Sequence, residues 1–331
     1  MTGIPGLEFS DPVLEGAIRS GLDRVEHALR AAVSSDFPLV AEVARHLVEA
    51  GGKRFRPVLT LLASHFGAEP DSDRVVTASV VVELTHLGTL YHDDVMDEAT
   101  VRRGAVSANA RWGNALAILT GDFLFARASD VLADLGPQAV RIQARTFARL
   151  VTGQIRETVG CTDGADPVKH YLSVLADKTG SLIATSALLG AHLSGAEPGT
   201  EEGLRRYGET IGVAFQISDD LLDVASEPAE SGKTPGTDLR EGVRTLPVLY
   251  ALASADPAEA RLRELLSGPL TDDGRHAEAL DLLRRSPAMT AARDILASYA
   301  DSARAELAGL PDLPARRALE SLADFVLART S

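Results

Sequence analysis

The sequence predicts an all-α protein, and three observations carry that prediction. Apolar residues recur at helical spacing along nearly the whole chain, and no run alternates with the period of a strand. The composition is 45% apolar but only 5% aromatic. That mix suits a bundle of Ala, Leu and Val better than a sandwich or barrel. With 331 residues the chain could form one large domain or two ordinary ones. No linker separates differently patterned halves, so 1–331 reads as a single domain.

Start and stop signals place the elements. Helices are predicted at about 11–33, 38–50, 52–66, 72–96, 114–133, 137–160, 166–177, 179–195, 200–226 and 243–254, with several more in the last 75 residues. Asp36 precedes Pro38, and Pro70, Asp71 and Ser72 open the long helix that ends near Met96. Gly136–Pro137 separates two further helices. Asp166–Pro167 and Ser286–Pro287 each read as an N-cap followed by proline at the first helical position. The stretch 226–243, rich in Glu, Gly, Pro and Ser, reads as a loop. The uncharged run 179–196 contains Thr179, Ser181, Thr185, Ser186, His192 and Ser194, so it reads as a buried helix and not as a membrane span.

Charge excludes some function classes. The net charge is −14 and the pI about 5.0, which removes nonspecific attraction to nucleic acid or an anionic membrane. The one cysteine, Cys161, allows no intrachain disulfide and no cysteine-based metal site. The first ten residues lack a basic segment followed by an apolar run, so no signal peptide is expected and a cytoplasmic location is. Only four of the 33 basic residues are lysines, namely Lys53, Lys169, Lys178 and Lys233. Three of these four fall within the motifs below.

The sharpest motif is His92-Asp93-Asp94-Val95-Met96-Asp97-Glu98, at the end of an apolar helix. Asp93 and Asp97 are four residues apart and share a helical face. Like charges at that spacing repel, aspartate is a poor helix former, and a helix C-terminus disfavours anions. All three costs call for a cation, and hard oxygen ligands point to Mg2+. One such cluster could be a solvated helix end. It recurs, however, at Asp219-Asp220-Leu221-Leu222-Asp223, again closing an apolar helix. If the two clusters face each other across a cavity, they would hold several Mg2+ ions around one diphosphate.

Basic motifs supply a second half. Gly51-Gly52-Lys53-Arg54-Phe55-Arg56-Pro57 is expected to put Lys53 and Arg56 on one face of a starting helix, whose dipole favours an anion. Arg102-Arg103-Gly104 follows the first acidic cluster, Lys178-Thr179 is expected to begin a helix, and Lys233-Thr234-Pro235-Gly236-Thr237-Asp238 lies in the irregular loop.

In order and spacing these motifs, with Phe215-Gln216, resemble the trans-isoprenyl diphosphate synthase (polyprenyl synthetase) family over nearly the whole chain. The resemblance implies a helical bundle of the isoprenoid synthase type around a deep apolar cavity, a homodimer, and Mg2+ at three ions per active site. It implies that isopentenyl diphosphate is held by Lys53, Arg56, His86 and Arg103, although a merely satisfied histidine stays open for His86. Mg2+ would bind Asp93, Asp97 and Asp219, with Asp94, Asp220 and Asp223 supporting. Arg102, Lys178, Thr179, Gln216 and Lys233 would contact the allylic diphosphate, and the catalytic set would be Asp93, Asp97, Asp219, Lys178 and Lys233.

Within the family, side chains four and five residues before the first aspartate limit product length. Here those are Thr89 and Gly88, with Thr85 and Val82 further down, all modest in size. A long-chain product is therefore expected, with a short-chain farnesyl or geranylgeranyl synthase as the alternative. A class I terpene cyclase fits less well, because Asp219–Asp223 departs from the cyclase second motif. A non-catalytic subunit of a two-component synthase would be expected to lack motif residues, and none is missing.

Overall fold

The computed structural model describes residues 9–226 and 235–329. In chain order its helices are α1 (Pro12–Ala32), α2 (Pro38–Glu49), α3 (Phe55–Ser64), α4 (Asp73–Met96), α5 (Ala108–Trp112), α6 (Asn114–Ala133), α7 (Pro137–Val159) and α8 (Pro167–Leu175). After a π-helical turn, Ala176–Gly180, come α9 (Ser181–Ser194), α10 (Pro198–Ala225), α11 (Thr237–Glu241), α12 (Leu246–Ala253), α13 (Ala260–Leu265), α14 (Asp273–Arg285), α15 (Pro287–Ala308) and α16 (Pro314–Ala328). The only strands among the described residues are β1 (Val101–Arg102) and β2 (Ala105–Val106), a minimal antiparallel hairpin.

Several starts follow the sequence signals. Asp166 accepts from the Val168 and Lys169 N–H groups at 3.0 and 3.2 Å, and Pro167 takes the first position of α8. Ser286 Oγ likewise accepts from Ala288 N–H at 3.1 Å, at the start of α15. Each cap satisfies N–H groups that the helix itself leaves open.

Three expectations need correction. The helix expected from 52 begins at Phe55, because Gly51 (φ 80°), Gly52 (φ 141°) and Arg54 (φ 48°) are all left-handed. Lys53 therefore precedes the helix and does not share a helical face with Arg56. Lys178-Thr179 does not begin a helix either: it lies in the π-helical turn that runs α8 into α9 without a break. Of the expected loop 226–243, residues 227–234 lie outside the described residues, and Thr237–Glu241 form α11.

The chain divides into two units, one of 1–148, 182–208 and 309–321, the other of 149–181, 209–308 and 322–331. In the first, α1, α2, α4 and α6 share a core that includes Val25, Leu29, Val43, Leu47, Leu84, Leu87, Tyr91 and Leu124. Helix α4 is buried on most sides, which explains its nearly continuous apolar sequence. Near its end the fully buried Tyr91 donates its hydroxyl to Val43 O and accepts from Leu47 N–H at 3.3 Å. That pair of hydrogen bonds pins α4 to α2 two residues before Asp93.

In the second unit the last turns of α10 bury Ile217, Leu221 and Val224. Ser218 Oγ donates to Val326 O at 3.1 Å. Arg284 donates to the carbonyls of Val224 and Ser226, both at 2.7 Å, satisfying the open C-terminal end of α10. Among the described residues no helix is long and apolar enough to cross a membrane.

Candidate active site

Three basic residues of the first unit surround one carboxylate. Arg54, 3% exposed, donates Nη1 to Glu83 Oε1 at 2.9 Å and Nη2 to Val48 O at 2.9 Å, and its Nε reaches Glu26. Arg103 comes from the turn of the hairpin, is left-handed at φ 53°, and donates Nη1 to Leu47 O at 3.1 Å and to Gly51 O. Its Nη2 lies 3.7 Å from Glu83 Oε1. Gly52 is needed here, since a Cβ would sit 2.9 Å from the Arg103 Cζ. Arg56 Nε is buried with no hydrogen-bond partner. Lys53 is exposed.

Burial and charge act together on this cluster. Burial, aided by Arg103 and opposed by Glu83, brings the Arg56 guanidinium down to about 10. Burial likewise lowers Arg103, although Glu83 counteracts it. At Arg54 burial is outweighed by the bonds to Glu26 and Glu83, leaving its pKa raised. Burial, and then the charges of Arg56, Arg103, Arg102 and Arg54, hold His86 well below its ordinary range. His86 is a neutral imidazole that can share a hydrogen bond but brings no charge.

The first acidic cluster separates its three carboxylates. Asp94 is fully buried and accepts from Arg102 Nε at 2.5 Å, while its Oδ2 has no partner. Burial raises its pKa against the opposing charge of Arg102. Asp93 is half-buried, and Asp97 caps α4 in an exposed position, 4.0 Å from Arg102 Nη2. Sequence spacing alone could not show that the middle aspartate turns inward and binds the arginine of the hairpin.

The second unit repeats that separation. Asp220 is buried, and accepts from Tyr171 Oη at 2.5 Å and from Gln216 Nε2 at 2.9 Å. Burial raises its carboxyl to about 7 even though both donors oppose the shift. Asp219 and Asp223 are half-buried. Asp219 pairs with Arg329, whose guanidinium stacks over Phe215 and Phe325 at 4.9 and 5.6 Å. Asp223 accepts from the N–H groups of Thr237 and Asp238 at 3.2 and 3.1 Å, the first turn of α11. Thr179 Oγ1 donates to Gln216 Oε1 at 3.4 Å, and Lys178 pairs with Glu157. Lys233 lies outside the described residues.

The proposed chain-length positions are closely packed. A Cβ on Gly88 would meet Phe125 Cε1 at 2.9 Å and Gly121 O at 3.2 Å, so glycine here admits the ring from α6. Thr85 Oγ1 accepts from Gln143 Nε2 at 2.7 Å, Val82 is fully buried, and Thr89 Oγ1 bonds back to His86 O at 2.8 Å. Phe125 packs in turn on Phe147, with ring centroids 4.6 Å apart.

Glu83, Glu26, Tyr171, Arg329 and Phe125 were not singled out by sequence reasoning. Glu83 alone left a signal: it is the one carboxylate between Asp73 and Asp93 in an apolar helix, and a buried acid requires a partner.

The acidic residues suit a hard divalent cation. All the candidate donors are carboxylate oxygens, Asp94 Oδ2 is an unpartnered buried acceptor, and each cluster keeps its first and last aspartates out of the core. Among the described residues no three acidic, histidine or cysteine side chains already form a metal cage. Mg2+ commonly takes one or two protein carboxylates and completes its shell with water and phosphate oxygens.

Comparison with known proteins agrees with these motifs. A family model described as polyprenyl synthetase matches residues 37–283. The nonaprenyl diphosphate synthase of Mycobacterium tuberculosis is 53% identical over 328 residues, covering 99% of this chain and 98% of that protein. A geranylgeranyl pyrophosphate synthase from Corynebacterium glutamicum, solved with calcium and isoprenyl diphosphate, gives a TM-score of 0.88 at 50% identity, over 98% of this chain and 99% of that one. A decaprenyl diphosphate synthase from Rhodobacter capsulatus gives 0.87 at 37% identity, over 96% and 98%.

Proposed function

The chain belongs to the polyprenyl synthetase family, and on that premise we propose that it is an all-trans polyprenyl diphosphate synthase with a long-chain product. It is a prenyltransferase that condenses isopentenyl diphosphate with an allylic diphosphate by ionisation, condensation and loss of a proton. The observation that carries this reading is the acidic motif built twice, each time with the middle aspartate in the core and the outer pair, Asp93/Asp97 or Asp219/Asp223, left less buried. The family model spans stretches of both units, which supports reading 1–331 as one synthase domain.

Divalent metal is part of this chemistry, and Mg2+, with three ions per site, is the finer reading. Asp93, Asp97, Asp219 and Asp223 would hold it, with Asp94 and Asp220 setting the helix ends from within. When bound, the metal stabilises the negative charge that develops on the departing diphosphate. Lys178, Thr179 and Gln216, with Arg102 and Lys233, orient that diphosphate. Lys53, Arg56, His86 and Arg103 hold isopentenyl diphosphate. The apolar side chains of α4 keep water from the allylic cation, and the released diphosphate accepts the proton. The apolar Ile118 and Leu119, 43% and 61% exposed on α6, support a homodimer, and we place the protein in the cytoplasm.

The test is incubation with radiolabelled isopentenyl diphosphate and C10, C15 or C20 primers, followed by chromatography of the dephosphorylated products. Products beyond C35 support the reading. A C20 product would favour the second reading, a short-chain synthase, to which the Phe125 ring filling the space at Gly88 lends weight. Absence of any metal-dependent extension would overturn both.

A further inference from the structure

We propose that Glu83 is the positioning residue that assembles the isopentenyl diphosphate subsite, an inference that rests on the reading above. Its carboxylate is 1% exposed and stands on α4 three residues before His86, on the same face. Two arginines from different loops converge on it, Arg54 at 2.9 Å and Arg103 at 3.7 Å. Both are non-glycine residues held in the left-handed region, a conformation that persists only where surrounding contacts enforce it.

The two arginines are used differently. The guanidinium of Arg54 is consumed by protein acceptors: Glu26, Glu83 and Val48 O. It has little left for a substrate, so it serves to fix the Gly51–Arg54 loop. Arg103 spends Nη1 on Leu47 O and Gly51 O but holds Nη2 only loosely to Glu83. Arg56 has a buried Nε with no acceptor at all.

Charge leads to the same division. Arg54, Arg56 and Arg103 bring three positive charges, against the two negative charges of Glu26 and Glu83. The surplus falls on the side of Arg56 and Arg103, where an anion is needed. Glu83 thus keeps three mutually repelling guanidiniums in one buried place while leaving one charge unmatched for a diphosphate. Without it, Arg103 keeps its Nη1 bonds to Leu47 O and Gly51 O, but its Nη2 loses the carboxylate that offsets the repulsion from Arg54 and Arg56, and its free end swings out of place.

The experiment compares steady-state kinetics of the wild type, Glu83→Gln, Arg54→Gln/Glu83→Gln and Arg56→Ala. Glu83→Gln keeps shape but removes charge, and is expected to raise KM for isopentenyl diphosphate at least tenfold. KM for the allylic primer and kcat at saturation should stay within about twofold. An unchanged isopentenyl KM, or a parallel rise in both KM values, would overturn the proposal, since a purely structural role affects both subsites. Should Glu83→Gln fail to fold, the double variant removes both members of that buried pair and leaves Glu26 to Arg30, 3.6 Å away, which proteins tolerate better than one orphaned buried charge. Its isopentenyl KM must remain raised, because Arg103 still lacks its carboxylate, and a return to the wild-type value would overturn the proposal. If the wild type extends no primer, the functional reading itself fails. If the wild type is active and Arg56→Ala raises the isopentenyl KM while Glu83→Gln does not, only the role of Glu83 fails.

Discussion

Tyr171 donates its hydroxyl to the Asp220 carboxylate across 2.5 Å, joining α8 to α10 in the interior of the second unit. One residue earlier, Asp219 is half-buried and paired with a different partner, Arg329. Two adjacent aspartates of one motif therefore do separate work.

Disturbing the two aspartates should have different signatures. Asp219→Ala, like Asp93→Ala, is expected to slow condensation by about 10²–10³ or more with native helicity, the scale on which charge-stabilising groups act. Tyr171→Phe leaves Asp220 short of one donor and should cost about 1–3 kcal/mol of stability. Chemical denaturation followed by circular dichroism and turnover under saturating substrates would separate the two effects. Near-normal turnover of Asp219→Ala would refute its assignment.

Loss of Arg54 should appear first as instability. Arg54→Ala leaves Glu83 only Arg103 at 3.7 Å and Glu26 only Arg30 at 3.6 Å, both beyond hydrogen-bond reach, and should cost about 3–5 kcal/mol. The urea midpoint measures this directly. A change below about 1 kcal/mol would mean that water enters the cluster and replaces the ion pair.

His86 sets a pH dependence with a definite sign. Its folded pKa lies well below 6.5, because burial and the nearby arginines oppose protonation. Below about pH 6.5 the unfolded chain therefore binds a proton that the folded chain does not, and stability falls as pH falls, by up to about 1.4 kcal/mol per unit. Comparing wild type with His86→Gln at pH 7 and pH 5 isolates this contribution. The wild type should lose more stability than the variant over that interval, and equal losses would place a proton acceptor beside the ring.

Product length should respond to the pairing of Gly88 with Phe125. A methyl at Gly88 presses on the Phe125 ring, so Gly88→Ala should cost about 1–3 kcal/mol from overpacking. Gly88→Phe should shorten the product, and adding Phe125→Ala makes room for the new ring where the single variant does not fold. Unchanged chain length in the folded double variant would show that this face of α4 does not limit growth.

Much of this protein follows from sequence alone, because helical periodicity, proline and capping residues act within a few positions of each other. Asp166, Pro167, Ser286 and Pro287 mark helix starts that the fold keeps, and the four-residue interval places Asp93 with Asp97 and Asp219 with Asp223 by helical geometry. Sequence order also sufficed for the family, since the motifs recur at characteristic intervals. It did not decide which aspartate of each motif turns inward, why α3 begins three residues late, or that Lys178 rides on a π-helical turn.

Several partners of these residues come from far along the chain. Arg54 meets Glu83 across 29 positions, Tyr171 meets Asp220 across 49, and Arg329 meets Asp219 across 110. No local pattern encodes such partners. A buried charge selects whichever opposite charge the packing of other helices brings within reach, and only the folded chain fixes that choice.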